Sequence, residues 1–356
     1  MKFHLKYLLV IAACAVLVAC KKDEGQGPKT VNNTVESVEL TDGVFITCEG
    51  TFLAGNASVS FLKKEDQTVY NGIFSTRNDF PLGDVLQSIY FLDPYCFLIV
   101  NNSRRVEVVN ASDFKHVSTI SGVGSPRYIT QAAGGSAWLS TFDSEGLFQI
   151  DPNSLTVTGN IPVSGRTEEL LQHDLFTFVT NYRNLQDTSI NPGILVFDGT
   201  TLHGTIPVSE GPNSMRIDAN GKLWVLCDGG IFPKVEKGAL YRIDPINLQV
   251  LNVFEFPNLE DTPFRLEMNQ AGDALYFINK GVYTMNLETM DFPTMPLIDG
   301  TAGNFYGLGL DNESQQIYVA DPIDFVQQGN VYRYQLNGEV LDTLKVGVGP
   351  SAFIFR

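Results

Sequence analysis

The stretch Leu275-Tyr276-Phe277-Ile278-Asn279, followed closely by Val282-Tyr283-Thr284-Met285, decides the fold of this chain. It pairs two runs of apolar, aromatic and β-branched residues across a polar turn, which is typical of two β-strands. The same phrase recurs along the sequence. Its first run, here named the second strand, covers residues 44–47, 96–100, 137–140, 175–179, 223–226, 275–278 and 317–320. Its other run, the third strand, covers residues 59–62, 106–109, 147–150, 194–197, 240–243, 282–285 and 331–334.

Successive third strands are separated by roughly 40 to 50 residues, the period at which four-stranded propeller blades repeat. Seven copies of the phrase therefore predict an all-β, seven-bladed β-propeller. A pair of packed sheets is the alternative, but it does not explain equal phrases at a constant period.

The two ends of the propeller sequence predict how the ring closes. The last copy has an outer strand from Val340 to Val346, after which Ser351 to Arg356 has the character of an inner strand. The first copy starts at Val44 on a second strand and lacks an inner one. We therefore expect the C-terminal strand to pair into the first blade, because this removes both edges of an open ring.

The N-terminus has the features of a secretory signal, with a basic start and an apolar run from Tyr7 to Ala19. The run ends in Leu17-Val18-Ala19-Cys20, which resembles the lipobox of bacterial lipoproteins and implies acylation of Cys20. The next residues, Lys21-Lys22-Asp23-Glu24, resemble a signal for export to the outer face of the outer membrane; a solvated linker is the alternative. The predicted domains are a signal peptide (1–19), a lipidated flexible tether (20–39) and the propeller (40–356).

Charge and cysteine content restrict the function classes. The net charge of −16 falls to about −18 once Lys2 and Lys6 leave with the signal, and such a surface repels nucleic acids. The mature chain keeps Cys48, Cys96 and Cys227 without zinc-site spacing, so they are predicted to be buried strand residues rather than a disulfide or metal site. Calcium is conceivable at Asp321 and Asp324, but no regular calcium loop occurs. We predict neither a metal nor a cofactor.

Several motifs resemble those of known propellers. Ile317-Tyr318-Val319-Ala320-Asp321 resembles the Tyr-Val-Thr-Asn repeat of surface-layer and cytochrome-like propellers. Between Gly43 and Ile129 the chain is similar to surface lipoproteins of Gram-negative gut anaerobes, in the stretches 43–50, 74–84, 100–103 and 125–129. Some of those relatives capture cobalamin and sit on an outer-membrane transporter. The resemblance thus implies a corrinoid ligand and a transporter partner. Cys48 stands where those relatives commonly have Asn, a departure from their pattern.

In a propeller, the loops between second and third strands share one face with the connections between blades, and ligands usually bind there. We call this the upper face. Its loops are rich in aromatic and Arg residues, which suit a large amphipathic ligand with flat surfaces and polar edges. Packing between blades and pairing with carboxylates are the alternative roles. The predicted ligand-binding residues are Phe52, Arg77, Asn101, Arg127, Phe142, Tyr182, Arg183, Phe232, Arg265 and Tyr306.

The histidines argue against an enzyme. His116, His173 and His203 all fall on the predicted lower face, so none can act as a base at the upper face. Glu49 with Asp321 could form a glycosidase-like carboxylate pair, although such pairs are expected by chance in an acidic chain. We therefore predict a non-enzymatic outer-membrane surface lipoprotein that binds a large small molecule for uptake. The alternatives are a carbohydrate-active enzyme and a protein-docking propeller without a small-molecule ligand.

Overall fold

The computed structural model describes residues 35–132, 134–143, 146–182, 192–230, 234 and 236–356. These residues form seven antiparallel sheets, arranged as the blades of a propeller. Six sheets have four strands and one has three. The predicted all-β, seven-bladed propeller is confirmed.

The strands are numbered β1 to β27 in chain order. The inner strands of blades 1 to 7 are β27 (Pro350–Phe355), β4 (Leu86–Leu92), β8 (Pro126–Gln131), β12 (Arg166–His173), β16 (Pro212–Ile217), β20 (Phe264–Met268) and β23 (Gly307–Asp311). The second strands are β1 (Gly43–Cys48), β5 (Tyr95–Val100), β9 (Ala137–Thr141), β13 (Phe176–Tyr182), β17 (Leu223–Cys227), β21 (Ala274–Asn279) and β24 (Gln316–Asp321).

The third strands are β2 (Ser58–Lys63), β6 (Arg105–Asn110), β10 (Leu147–Asp151), β14 (Gly193–Asp198), β18 (Ala239–Asp244), β22 (Gly281–Asn286) and β25 (Gln328–Gln335). The outer strands are β3 (Thr68–Tyr70), β7 (His116–Ser121), β11 (Thr156–Ile161), β15 (Thr201–Pro207), β19 (Gln249–Glu255) and β26 (Val340–Val348). One α-helix, α1 (Ile73–Asn78), and two 3₁₀ turns (Val35–Ser37 and Gly300–Ala302) complete the described elements.

The C-terminal strand closes the ring as expected. Strand β27 pairs antiparallel with β1 in the order β27-β1-β2-β3, with Ile46 opposite Phe353 and Val44 opposite Phe355. The rings of Phe353 and Phe355 also pack against Tyr318 of blade 7, at centroid distances of 5.6 and 5.2 Å. The last strand therefore joins the first and last blades through both hydrogen bonds and apolar contact.

Blade 6 departs from the four-stranded pattern. After β22 the chain makes only an isolated bridge between Val282 and Ile298 where the other blades have an outer strand. Pro293 and Pro296 lie in this segment, and proline cannot donate to a strand ladder. Phe292 instead packs against the rings of Phe254, Phe256 and Phe277, so the segment seals the seam with blade 5.

The apolar core lies within and between the blades, where the second strands are almost entirely buried and the third strands partly so. Cys48, Cys96 and Cys227 are free and buried within it, as predicted. Burial raises the pKa of all three thiols. None of the described helices has the length and apolar character needed to cross a membrane.

Six of the seven inner strands share an irregularity that positions the site. Each has a register shift at its upper end, at Gln87, Arg127-Tyr128, Glu168-Glu169, Asn213, Arg265-Leu266 and Ser351. A β-bulge adds one residue to a strand and re-aims its side chains. Strict alternation would place neighbouring polar side chains on opposite faces of a blade. The bulges direct them toward the channel axis instead.

Candidate functional site at the upper mouth of the channel

The upper half of the central channel contains a cavity of about 520 Å³. All seven inner strands contribute to its wall, together with residues at or just after the ends of the second strands of blades 3, 4 and 5. This volume lies within the usual range for small-molecule sites. We call this cavity the channel mouth.

An ion-pair network crosses the wall on the side of blades 2 to 6. The Arg127 Nε donates to both carboxylate oxygens of Glu168, at 3.0 and 2.8 Å, and its Nη1 donates to Gln87. Deeper in the channel, Arg216 donates to Glu169 at 2.9 Å and to Glu267 at 2.8 Å. Each arginine thus joins its own blade to both neighbouring blades, which fixes the side chains of the wall before any ligand arrives.

The opposite side of the mouth is built around Tyr306. Its hydroxyl donates to Glu49 Oε1 at 3.1 Å, and its ring lies 5.7 Å below the guanidinium of Arg265. Arg265 has a φ of 59°, in the left-handed region that bulky residues rarely adopt. Such backbone strain is concentrated at functional sites.

Three carboxylates at the mouth have altered acidity, and burial raises the pKa of one of them, Glu169, although Arg216 opposes the shift. Burial raises the pKa of Asp228 to about 6, against a hydrogen bond from the backbone N–H of Gly230 and the charge of Lys234. Burial also raises the pKa of Glu49, although Arg265 and Tyr306 oppose the shift. The phenol of Tyr182 has a strongly raised pKa because it is buried and lies near Asp228. Clustered groups with shifted acidity are typical of functional sites.

Aromatic side chains cover part of the mouth. Phe142 lies beneath two guanidinium groups, those of Arg166 at 4.4 Å and Arg127 at 5.4 Å. On the side of blades 7 and 1, the loops carry an exposed apolar rim, formed by Phe52, Leu53, Phe325 and Val326. Phe52, Leu53 and Val326 are 66, 76 and 67% exposed. The Phe325 ring contacts Tyr306 at 5.1 Å, so the rim is continuous with the mouth.

The structure brings together five of the predicted ligand-binding residues: Arg127, Phe142, Tyr182, Arg265 and Tyr306 all line the cavity. Phe52 lies on the rim outside the cavity. Asn101 is also outside, where its side-chain amide donates to the carbonyl of Pro126 at 2.9 Å and joins blade 2 to blade 3. Arg183, Phe232 and Cys20 lie outside the described residues.

The placement of Arg77 on the upper face is wrong. Arg77 is buried on α1, where its guanidinium donates to the carbonyls of Val35, Val38 and Asp113. Asp113 lies in the turn between the third and outer strands of blade 2, which belongs to the lower face. Arg77 therefore secures the entry of the chain into the propeller. The neighbouring Phe80 likewise packs on His116, at 5.3 Å, and not at the mouth.

The proposed carboxylate pair of Glu49 and Asp321 is not formed within the cavity either. Asp321 is buried and accepts hydrogen bonds from Ile323 N–H and the Tyr332 hydroxyl, both in its own blade, and it does not line the mouth. No group of three or more metal-binding side chains occurs among the residues described here.

Several residues of the mouth were not predicted, namely Gln87, Tyr128, Glu168, Glu169, Arg216, Asp228 and Glu267. All but Asp228 belong to inner strands. The sequence did contain a signal for these residues, since several inner strands carry a charged residue. A charged side chain buried there needs either an oppositely charged partner or contact with a water-filled channel.

Comparison with known proteins shows that the domain carrying this site belongs to a defined family. Residues 42–346 match the family described as Domain of unknown function (DUF5074). The chain belongs to the DUF5074 family. No curated protein matches the sequence significantly.

Solved structures share the fold of this DUF5074 protein at low sequence identity. A quinonprotein alcohol dehydrogenase-like protein from Bacteroides thetaiotaomicron is 15% identical with a TM-score of 0.66, over 90% of this chain and 79% of that one. A candidate 6-phosphogluconolactonase from Bacteroides fragilis is 12% identical with a TM-score of 0.64, over 89 and 98%. The periplasmic gluconolactonase PpgL of Pseudomonas aeruginosa is 12% identical with a TM-score of 0.62, over 88 and 99%. At such identities the likeness shows the fold alone.

Proposed function

We propose that this DUF5074 protein is a binding protein that holds a large amphipathic small molecule over the upper mouth of its channel. One observation carries the proposal: a polar, pre-organised cavity lies directly beside an exposed apolar rim. Polar edges of a ligand would meet the arginine, tyrosine and carboxylate groups of the wall. Flat apolar surfaces would meet Phe142 and the rim, where aromatic contacts contribute most to binding.

A corrinoid such as cobalamin is the candidate ligand. It combines a rigid macrocycle with amide arms, and this combination suits a polar cavity bordered by aromatic rings. The whole molecule is too large for a cavity of about 520 Å³, so it would lie across the mouth with one arm inside. The sequence resemblance to cobalamin-capturing lipoproteins supports the same choice. Acylation at Cys20 would then hold the propeller at the outer membrane, beside a transporter.

Isothermal titration calorimetry with cyanocobalamin tests the proposal. The protein would comprise residues 21–356, which leave out the signal and Cys20 but keep Val35, a partner of Arg77. We expect saturable binding with one site per chain. The absence of heat at micromolar protein would exclude a corrinoid ligand.

A hydrolase is the second candidate, and the acidity of Asp228 favours it. A carboxyl group with a pKa of about 6 is suited to general acid–base chemistry near neutral pH. Hydrolysis of glucono-1,5-lactone, followed with a pH indicator, would support this function if Asp228→Asn abolished it. Equal rates with and without protein would argue against a lactonase.

A further inference from the structure

The charges around the channel mouth are unequal. Among the described residues, four carboxylates line the cavity, those of Glu168, Glu169, Asp228 and Glu267, against the three guanidinium groups of Arg127, Arg216 and Arg265. Glu49, Arg166 and Lys234 lie near the mouth but do not line the cavity. The Lys234 ammonium donates to the backbone carbonyls of Asp228 and Asp261 rather than to a carboxylate.

Two of these arginines are held by carboxylates. Arg127 donates to Glu168 and Gln87, and Arg216 donates to Glu169, Glu267 and its neighbour's carbonyl. At either of these two arginines, an entering anion would have to displace a buried carboxylate and leave that charge without a partner. Removing one partner of a buried pair is strongly unfavourable. Arg265 makes no ion pair among the described residues, and its guanidinium has only two long hydrogen-bond contacts, with the Tyr306 carbonyl at 3.4 Å and the Tyr128 hydroxyl at 3.5 Å.

Carboxylate acceptors, by contrast, remain available. Within the described part of the chain, Asp228 makes no ion pair, and its carboxylate accepts only the backbone N–H of Gly230, at 2.7 Å. Arg216 is shared between Glu169 and Glu267, so that group of three side chains carries a net negative charge when ionised. A hydrogen-bond donor or a cation beside Asp228 would therefore find an acceptor that no side chain of the described wall already holds.

We infer that the channel mouth prefers, at Asp228, ligand groups that are cationic or neutral hydrogen-bond donors, such as ammonium or primary amide groups, over phosphate and carboxylate groups. The inference rests on the proposed function, since it specifies the chemistry of the ligand at the same site. Burial raises the pKa of Asp228, as expected for a carboxylate that is removed from water and accepts a single hydrogen bond from the described residues.

A cysteine reporter in the mouth tests the charge preference without any natural ligand. Ala352 is a small residue of the cavity wall, so Ala352→Cys adds one atom at a site open to solvent. The rate of its reaction with a methanethiosulfonate carrying a trimethylammonium group is compared with the rate for one carrying a sulfonate. The native cysteines are buried and have raised thiol pKa values, which makes them unreactive. Ser88→Cys is a second reporter in the same wall.

The matched control is Leu202→Cys on the exposed outer strand of blade 4, which reports the general effect of an acidic protein. We expect the cation-to-anion rate ratio at Ala352→Cys to exceed that of the control by about tenfold, as potentials of a few kT imply. Adding Asp228→Asn should reduce the excess about two- to threefold. A ratio no larger than that of the control, with either reporter, would overturn the inference.

The outcome is separable from that of the proposed function. Labelling rates need no ligand, so they decide the charge preference even if cyanocobalamin fails to bind. If cyanocobalamin binds, a derivative with one amide hydrolysed to a carboxylate and its aminoethyl amide provide a second comparison. We expect the aminoethyl amide to bind at least as tightly as cyanocobalamin and the carboxylate about tenfold more weakly. Tighter binding of the carboxylate would also overturn the inference.

Discussion

The hydroxyl of Tyr128 lies 3.5 Å from a guanidinium nitrogen of Arg265, and the two residues belong to blades 3 and 6, on opposite sides of the channel. The Tyr128 hydroxyl also accepts from Gln87 of blade 2 at 3.3 Å. Both contacts depend on bulges that re-aim the first residues of the inner strands. The bridge crosses the channel and gives the upper mouth a floor, so a ligand would be held at the surface.

The first prediction concerns the ion pairs of Arg216. Arg216→Met should lower the free energy of unfolding by about 2 to 4 kcal/mol, because it leaves Glu169 and Glu267 facing each other without compensation. Urea unfolding measures the change. The triple variant with Glu169→Gln and Glu267→Gln should recover most of the loss. If the triple variant were as unstable as the single one, packing rather than charge would be the cause.

The second prediction is a pH dependence at Asp228. Its folded pKa of about 6 lies above the ordinary value of 3.8, so its ionisation costs stability as pH rises from about 4 to above 6. Asp228→Asn removes that cost. Thermal melts should show a gain of about 1 to 3 kcal/mol at pH 7.5 and little change near pH 4.

A matched control for this prediction is Asp244→Asn. The hydrogen bonds from Asn247 and Lys222 lower the pKa of Asp244 to about 2, so this carboxylate stabilises the fold above pH 4. Its replacement should lower Tm at pH 7.5, which is the opposite of the change expected for Asp228→Asn. A loss of stability for Asp228→Asn at pH 7.5 would contradict the raised pKa of Asp228 in the folded protein.

The third prediction tests ring closure. Deleting Phe353–Arg356 removes most of the inner strand of blade 1 and exposes the backbone of β1. We expect aggregation or loss of cooperative unfolding in calorimetric scans. Arg356→Ala, which removes only the contacts with Asp93 and the Phe91 ring, is the control and should melt cooperatively. Unchanged melting of the deletion variant would refute the structural role of β27.

The fourth prediction concerns the aromatic wall. Phe142→Ala should weaken cyanocobalamin binding by roughly 1 to 3 kcal/mol, about 5- to 150-fold, because the ring would contact the ligand and also orients Arg127 and Arg166. Calorimetric titration measures the effect. His173→Ala on the lower face should bind as the parent protein does. Equal losses for both variants would indicate a general destabilisation instead of a site.

The fifth prediction concerns the cellular address. Cys20→Ser should release a soluble protein, because acylation is the only predicted anchor. Replacing Lys22, Asp23 and Glu24 by Ala should leave the protein anchored but facing the periplasm. Protease digestion of intact cells separates the two, and cleavage of the triple variant at the cell surface would rule out the export signal.

The sequence was sufficient to predict the ring because strand burial is periodic and each third strand recurs at a similar interval. The closure by β27 could be predicted because the first blade lacks an inner strand in sequence and the chain ends with one additional strand. The exceptions have local causes. Blade 6 lacks an outer strand because its segment holds Pro293 and Pro296, and Arg77 was misplaced because α1 turns the chain after the outer strand toward the lower face.

The site was predicted less completely for a physical reason. Loop composition indicated Arg127, Phe142, Tyr182, Arg265 and Tyr306, but Glu168, the carboxylate that pairs with Arg127, lies within an inner strand. Bulges direct neighbouring residues such as Glu168 and Glu169 toward the channel, where they meet different arginines. Strict alternation would place them on opposite faces of a blade, so no period-two pattern could have indicated that both serve the mouth.

The position of cobalt in crystals of residues 21–356 grown with cyanocobalamin tests the central claim most directly. Anomalous diffraction at the cobalt edge locates the metal without a ligand model. The account predicts one peak above the upper mouth, on the side bordered by Phe142, Tyr306 and the apolar rim. A peak near His173 on the lower face, or no bound cobalt in the presence of saturating cyanocobalamin, would contradict it.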